Sequence, residues 1–120
     1  MIDHEHLDAY CLSLPQAEAS SPFGPQTVVY KVAGKMFALL SLDVPRVNVK
    51  CDPEHAVTLR ERHESVEPGY HMSKRHWNSV YWEREALDVA TVHAWIADSY
   101  ALVVASLPKR VRESLRDVDA

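Results

Sequence analysis

Residues 27–53 read TVVYKVAGKMFALLSLDVPRVNVKCDP, and the period of this stretch decides the fold. Val28, Tyr30 and Val32 recur every second position, so they share one face of an extended strand. The Gly34-Lys35 pair supplies a tight turn, and residues 36–43 return as the second arm of a hairpin. After Pro45 the alternation is clean. Val47, Val49 and Cys51 point to a core, while Arg46, Asn48 and Lys50 point away from it. One face of the sheet is therefore apolar, and the other is polar and partly basic. Asp52-Pro53 then starts a helix: Asp caps an orphan backbone N–H, and Pro at the first helical position gives up an N–H that has no partner anyway.

Outward from this segment the chain alternates between periods. Asp3 is placed to cap a first helix whose Leu7, Tyr10, Cys11 and Leu14 form one stripe, ended by Pro15. Residues 16–26 hold Ser20, Ser21, Pro22, Gly24 and Pro25 and read as a loop, with Phe23 expected to plug the edge of the core. The helix begun at Pro53 is expected to run to about Ser65. Residues 66–72 and 77–83 read as two strands joined by the basic connection Ser73-Lys74-Arg75-His76. Asp88 is expected to cap a long helix carrying Val92, Ile96, Tyr100, Val103 and Leu107 at helical spacing, interrupted at Pro108. Residues 109–115 are expected to add a short helical turn with a basic face. The sum is an α+β two-layer sandwich, an antiparallel sheet with helices on one face, in the order α-β3-α-β2-α.

The totals fit one domain. At 120 residues the chain can bury roughly two thirds of its unfolded surface without a disulfide or a metal. An apolar fraction of 47% and a charged fraction of 25% exclude disorder as a class. No apolar run approaches the roughly 20 residues of a membrane span, and the acidic start Met1-Ile2-Asp3-His4-Glu5 lacks the basic and apolar parts of a secretory signal, so the expected location is cytoplasmic. Cys11 and Cys51 match no metal or redox spacing and are expected as reduced, buried thiols. Cys51 directly precedes a helix N-terminus, where a thiolate would be stabilised, yet the strand pattern turns it inward. Seven histidines include the near pairs His4/His6 and His71/His76, but no helix carries a zinc-binding spacing. With three glycines there is no phosphate-binding loop, and no nucleophile elbow occurs. The sequence thus identifies no catalytic centre, metal, cofactor or small-molecule substrate.

Residues 68–82, PGYHMSKRHWNSVYW, contain Lys74, Arg75, two histidines, four aromatic rings and no carboxylate, within a chain of net charge −4. Cations neutralise phosphate and flat rings stack on bases, so this composition is that of a nucleic-acid surface. The plainer reading is a twisted hairpin whose aromatics pair across strands, with a solvated basic tip. A third is a protein-interaction module that uses the sheet face or the hairpin to form a homodimer or hold a peptide. An enzymatic reading requires Cys51, His71 and His76 to converge on one pocket.

The segments Phe23-Gly24-Pro25, Gly34-Lys35-Met36-Phe37, Asn48-Val49-Lys50-Cys51-Asp52-Pro53, Pro68-Gly69-Tyr70-His71 and Lys74-Arg75-His76-Trp77-Asn78 together resemble the MmcQ/YjbR family of small bacterial proteins, from about His6 to Leu115. The resemblance implies a fold like that of secretion chaperones. Members of the family are commonly labelled DNA-binding from their wing-like strand pairs, without assigned catalytic residues, and that label is structural analogy. The positions that match the family pattern give the candidate nucleic-acid-binding set: Lys50, Tyr70, His71, Lys74, Arg75, His76, Trp77 and Asn78. Lys50, Lys74 and Arg75 are expected to contact phosphate, and Tyr70, His71 and Trp77 to stack or hydrogen-bond. Lys109, Arg110 and Arg112 are a weaker addition.

Overall fold

A computed structural model describes residues 2–119, with side chains described as far as Leu115. The elements run α1 (His4–Ser13), β1 (Glu18–Ser20), β2 (Thr27–Val32), β3 (Lys35–Ser41), β4 (Arg46–Lys50), α2 (Pro53–Arg62), β5 (Val66–Pro68), β6 (Trp77–Val80), α3 (Val89–Ala105) and α4 (Lys109–Asp119). All strand pairs are antiparallel, in one six-stranded sheet of order β1-β2-β3-β4-β6-β5. Residues of all four helices join a single buried cluster with Tyr30, Ala38, Leu40, Val47, Val49 and Val80, so the helices cover one face of the sheet. This is the expected α+β two-layer sandwich, with one more edge strand and a longer last helix.

The extra strand β1 lies where a loop is expected. Its three residues are all exposed and carry no alternation, so only the backbone ladder to β2 marks it. Phe23 does not plug the core. It stands 72% exposed on the loop between β1 and β2. The β2–β3 turn is one residue earlier than the expected Gly34-Lys35. Ala33 (φ 50°) and Gly34 (φ 80°) are its two central residues, both in the left-handed region that this two-residue hairpin turn demands.

Helix starts follow their caps in two cases out of three. Asp3 accepts from the His6 N–H at 2.7 Å and Asp52 from the His55 N–H at 3.3 Å. Asp88 occupies the cap position of α3 without a side-chain hydrogen bond. Helix α2 ends at Arg62, short of Ser65, because His63 turns extended at φ −125°.

Register shifts between Tyr30 and Lys31, where Phe37 is the extra residue of β3. Bulges of this kind re-aim a side chain, and Phe37 is fully buried against Tyr30 and the edge of Tyr100. The same site uses a side chain that the sequence does not advertise. Ser99 of α3, fully buried, accepts from the Lys50 N–H at 2.8 Å and donates to the Phe37 carbonyl at 2.6 Å. It thereby links the helix to β3 and β4 where their ladder runs out.

Buried and half-buried polar groups elsewhere are similarly matched. The Tyr30 hydroxyl donates to Asp8 at 2.6 Å, and burial together with this bond raises its pKa. The His6 and His93 rings stack at 4.9 Å with their Nε2 atoms 2.8 Å apart, and His93 also stacks on Tyr10 at 3.8 Å. Burial first, and the neighbouring His6 second, lower the His93 pKa below its ordinary 6.5. The unfolded chain therefore takes up this proton at higher pH than the folded one, so the contribution is present above pH 6.5 and lost as pH falls through the folded value. Thermal melts of His93→Phe, which keeps a ring on Tyr10, are expected to fall less than wild type between about pH 7 and pH 5. Parallel curves would remove His93 as a source of acid sensitivity.

Candidate functional site

The outer face of the sheet, away from the helices, begins as the sequence implies and ends differently. Arg46, Asn48 and Lys50 do point to it, since Asn48 pairs with Ser79, and Lys50 with Trp77. The expected strands over residues 66–72 and 77–83 stop at Pro68 and Val80. Residues 69–76 leave the ladder and fold back over the outer face. A closed polar network pins them there. Asn48 Nδ2 donates to the Tyr70 carbonyl (3.2 Å), the Tyr70 N–H donates to Ser79 Oγ (2.8 Å), and the Ser79 hydroxyl donates to Asn48 Oδ1 (2.6 Å). Asn48 and Ser79 are consequently buried, although they lie on the face expected to be solvated.

Gly69 makes the fold-back possible through close approach. A Cβ added there would lie 2.7 Å from Trp77 Cβ and 3.0 Å from the Trp77 carbonyl, and the Gly69 N–H donates to that carbonyl at 2.8 Å. Gly69→Ala must push β5 and β6 apart. Overpacking of this kind costs about 1–3 kcal/mol, so the variant is expected to unfold at distinctly lower urea concentration. An unchanged midpoint would mean that the connection is not held against β6.

The far side of the connection is anchored from α2. Arg60 Nε donates to Asn78 Oδ1 at 2.7 Å, and its Nη2 donates to the carbonyls of Lys74 and of Trp77, the latter at 3.2 Å. Asn78 Nδ2 turns to the Ala56 carbonyl at 3.4 Å. Arg60 is absent from the sequence-based set, although it lies four residues from buried Ala56 on the inner stripe of α2, where a cation needs partners. Arg46 is the other omission. Its guanidinium lies 4.1 Å from the centre of the Tyr70 ring and is steadied by Ser41 Oγ at 3.0 Å.

The eight candidates therefore separate. Tyr70 is 47% exposed, with the His71 ring 4.0 Å away, and His71, Lys74, Arg75 and His76 are exposed beside it. His71 adopts φ 58°, a left-handed conformation at the tip of the connection. Lys74 Nζ reaches back to the Gly69 carbonyl at 3.1 Å, and Arg75 has no hydrogen bond or ion pair among the described residues. Lys50 is half-buried next to Trp77 on the same face. Two candidates do not present a surface. Trp77 is 8% exposed, with Gly69 packed against its Cβ, and Asn78 is 1% exposed with its amide committed to Arg60 and Ala56. Trp77 cannot stack on a ligand without the connection opening, and Asn78 turns to α2 on the other side of the sheet. Lys109, Arg110 and Arg112 stand on α4, with Lys109 Nζ 4.0 Å from Glu113.

Cys51, His71 and His76 do not converge on one pocket. Cys51 lines a cleft between α2 and α3 that includes His55 but neither His71 nor His76. Both thiols are free and buried. Burial first, then Asp8, pushes the Cys11 pKa up to about 12, while burial first, then Asp52 and Asp98, raises that of Cys51. His4 spends its Nε2 on the Val44 carbonyl at 2.9 Å, and among the described residues no group of three His, Cys, Asp or Glu is placed to hold a metal.

A six-stranded antiparallel sheet, backed by helices on one face and crossed on the other by a basic, aromatic connection, defines a small α+β domain. The sequence profile of the YjbR family matches residues 12–102, and the chain belongs to that family. It is 41% identical over 115 residues to the Escherichia coli O157:H7 protein YbdF, covering 94% of this chain and 93% of the relative. It is 32% identical over 108 residues to YjbR of Escherichia coli K12, covering 88% and 91%. A crystal structure of the Deinococcus radiodurans protein DR2400, of domain family DUF419, superposes with a TM-score of 0.85 at 31% identity, over 92% of this chain and 86% of that one. A Pseudomonas syringae crystal structure at 24% identity and a TM-score of 0.74, covering 84% and 98%, shares the fold.

Proposed function

We propose that the domain is a noncatalytic nucleic-acid-binding module whose contact surface is the β5–β6 connection, residues 69–76, with Arg46 and Lys50 beside it. The observation that carries this reading is preorganisation. The connection is fixed by Asn48, Ser79 and Arg60, yet it exposes Tyr70, His71, Arg75 and His76 and contains no carboxylate. Tyr70, backed by the Arg46 guanidinium, is a ring on which a base can stack without first ordering the side chain. A base must be unstacked to use it, so single strands are the favoured form. Lys50, Lys74 and Arg75 supply the phosphate contacts. To contact phosphate, the exposed Lys74 exchanges its bond to the carbonyl of buried Gly69 for the phosphate.

Fluorescence anisotropy with labelled oligonucleotides tests this. Three neutralised phosphates give log K a slope against log salt of about −2 on single strands and about −3 on duplex. Tyr70→Ala is expected to weaken single-strand binding by about 1–3 kcal/mol, and Lys74→Ala with Arg75→Ala to flatten the salt slope, all with little change in Tm. Absence of binding at about 50 mM salt sinks the proposal. A second reading, a protein-interaction module, is favoured by one observation: Phe23 stands 72% exposed on its loop. That reading predicts self-association or partner capture that tolerates salt and is lost in Phe23→Ser, and a strict monomer in sedimentation counts against the homodimer.

A further inference from the structure

On the helix side of the sheet, independent of the nucleic-acid reading, lies a cleft lined by α2 and α3. We propose that the cleft between α2 and α3 binds a small organic cation with a flat apolar body, an arylalkylamine in chemical class. The cleft holds about 350 Å³, within the range of small-molecule sites. Val49 and Val80 of the sheet line it together with Leu59 of α2 and with Trp95 and Leu102 of α3. These side chains leave α2 and α3 apart over β4 and β6, and a ring placed between them would take apolar surface out of water.

The polar groups fix the sign of the ligand. Asp52, the cap of α2, and Asp98, on the cleft side of α3, are both exposed lining residues. Lys50 contributes to the same wall, but strand alternation sends its side chain to the opposite face of the sheet, beside Trp77. Asn78 lines the cleft with its amide already committed to Arg60 and Ala56, so it makes no demand on a ligand. Arg60 is committed to Asn78 and to the carbonyls of Lys74 and Trp77, so beside the His55 imidazole the two carboxylates are the lining charges that meet an incoming molecule. Burial first, then Asp52 and Asp98, disfavour the Cys51 thiolate, against an opposing effect of Arg60, and the thiol remains an apolar part of the wall. An ammonium group can pair with either carboxylate at the mouth while its ring fills the apolar interior.

The test is a titration of the isotope-labelled full chain, followed by NMR, with tryptamine, 3-methylindole and indole-3-acetate as probes of one shape and three charges. Tryptamine is expected to bind with Kd of about 1 mM, moving the resonances of Asp52, His55, Trp95, Asp98 and Leu102. The neutral probe should bind about tenfold more weakly and the acid more weakly still. Asp52→Asn with Asp98→Asn should bring tryptamine to the level of 3-methylindole, and the fold survives because Asn also caps a helix. Ala101→Trp, an exposed lining position, should block all three probes. Equal binding of the three probes, preference for the acid, or no saturable shift at about ten times the expected Kd overturns the proposal. Concentration-dependent shifts of the same resonances without any probe also overturn it, because they would assign the cleft to a second copy of the chain.

Discussion

Ser99→Ala is expected to lower stability by about 3 kcal/mol, and Tm by about 10 °C, although it removes one oxygen from a 120-residue chain. The reason is the double duty of that oxygen. It accepts from the Lys50 N–H at the end of β4 and donates to the Phe37 carbonyl at the bulge of β3. Alanine leaves both backbone groups without this partner in a site that excludes water, and each orphan costs about 1–3 kcal/mol. Urea unfolding followed by tryptophan fluorescence measures the loss. A change below about 1 kcal/mol would mean that water enters and replaces the hydroxyl, and that α3 is not fastened to the strands at this point. Ser99→Thr retains the hydroxyl but adds a methyl to a packed site, so its loss should be smaller.

Trp77→Ala is expected to cost about 3–5 kcal/mol, the range for deleting a large buried ring. Trp77→Phe, which keeps an aromatic ring beneath residues 69–72, should cost less than the alanine change and leave oligonucleotide affinity close to wild type. Tyr70→Ala should show the reverse pattern, with stability kept and affinity lost. The pair separates two rings that the sequence alone treats as equivalent, seven positions apart in one basic, aromatic run. If Trp77→Phe lowers affinity without lowering stability, the connection must open on binding, and the ring acts as a ligand contact after all.

The elements legible in the sequence are those whose signals are local. The β2–β3 hairpin and β4 follow a period of two, and Asp3 and Asp52-Pro53 mark helix starts through hydrogen bonds made within one turn. The signals that fail depend on distant partners. Residues 69–72 have strand composition, yet they leave the ladder because Asn48 and Ser79 capture the Tyr70 backbone and Gly69 lies against Trp77. Burial of Trp77 goes with its place in the sheet, opposite Lys50 and against Gly69, which its own neighbours in sequence do not signal. Strand β1 has three exposed residues and no pattern at all. Of the candidate site, the exposed half was legible as composition: cations and rings without acids. Its supports, Arg60, Ser79 and Asn48, act through contacts 9 to 31 residues away in the chain, a separation that no motif encodes.

The two outermost strands of the sheet are three residues each, and this brevity governs how the protein behaves when crowded. An open edge of a sheet is a template on which another chain can add a strand, and long, flat, apolar edges lead to aggregates. Here one border is Glu18–Ser20, exposed throughout, and the other is Val66–Pro68, which carries Glu67 and ends in a proline that has no N–H to offer. Strand-by-strand growth into fibrils is thereby discouraged at both borders. The polar, basic surface can stay open to solvent at high concentration without making the molecule a seed for its own precipitation.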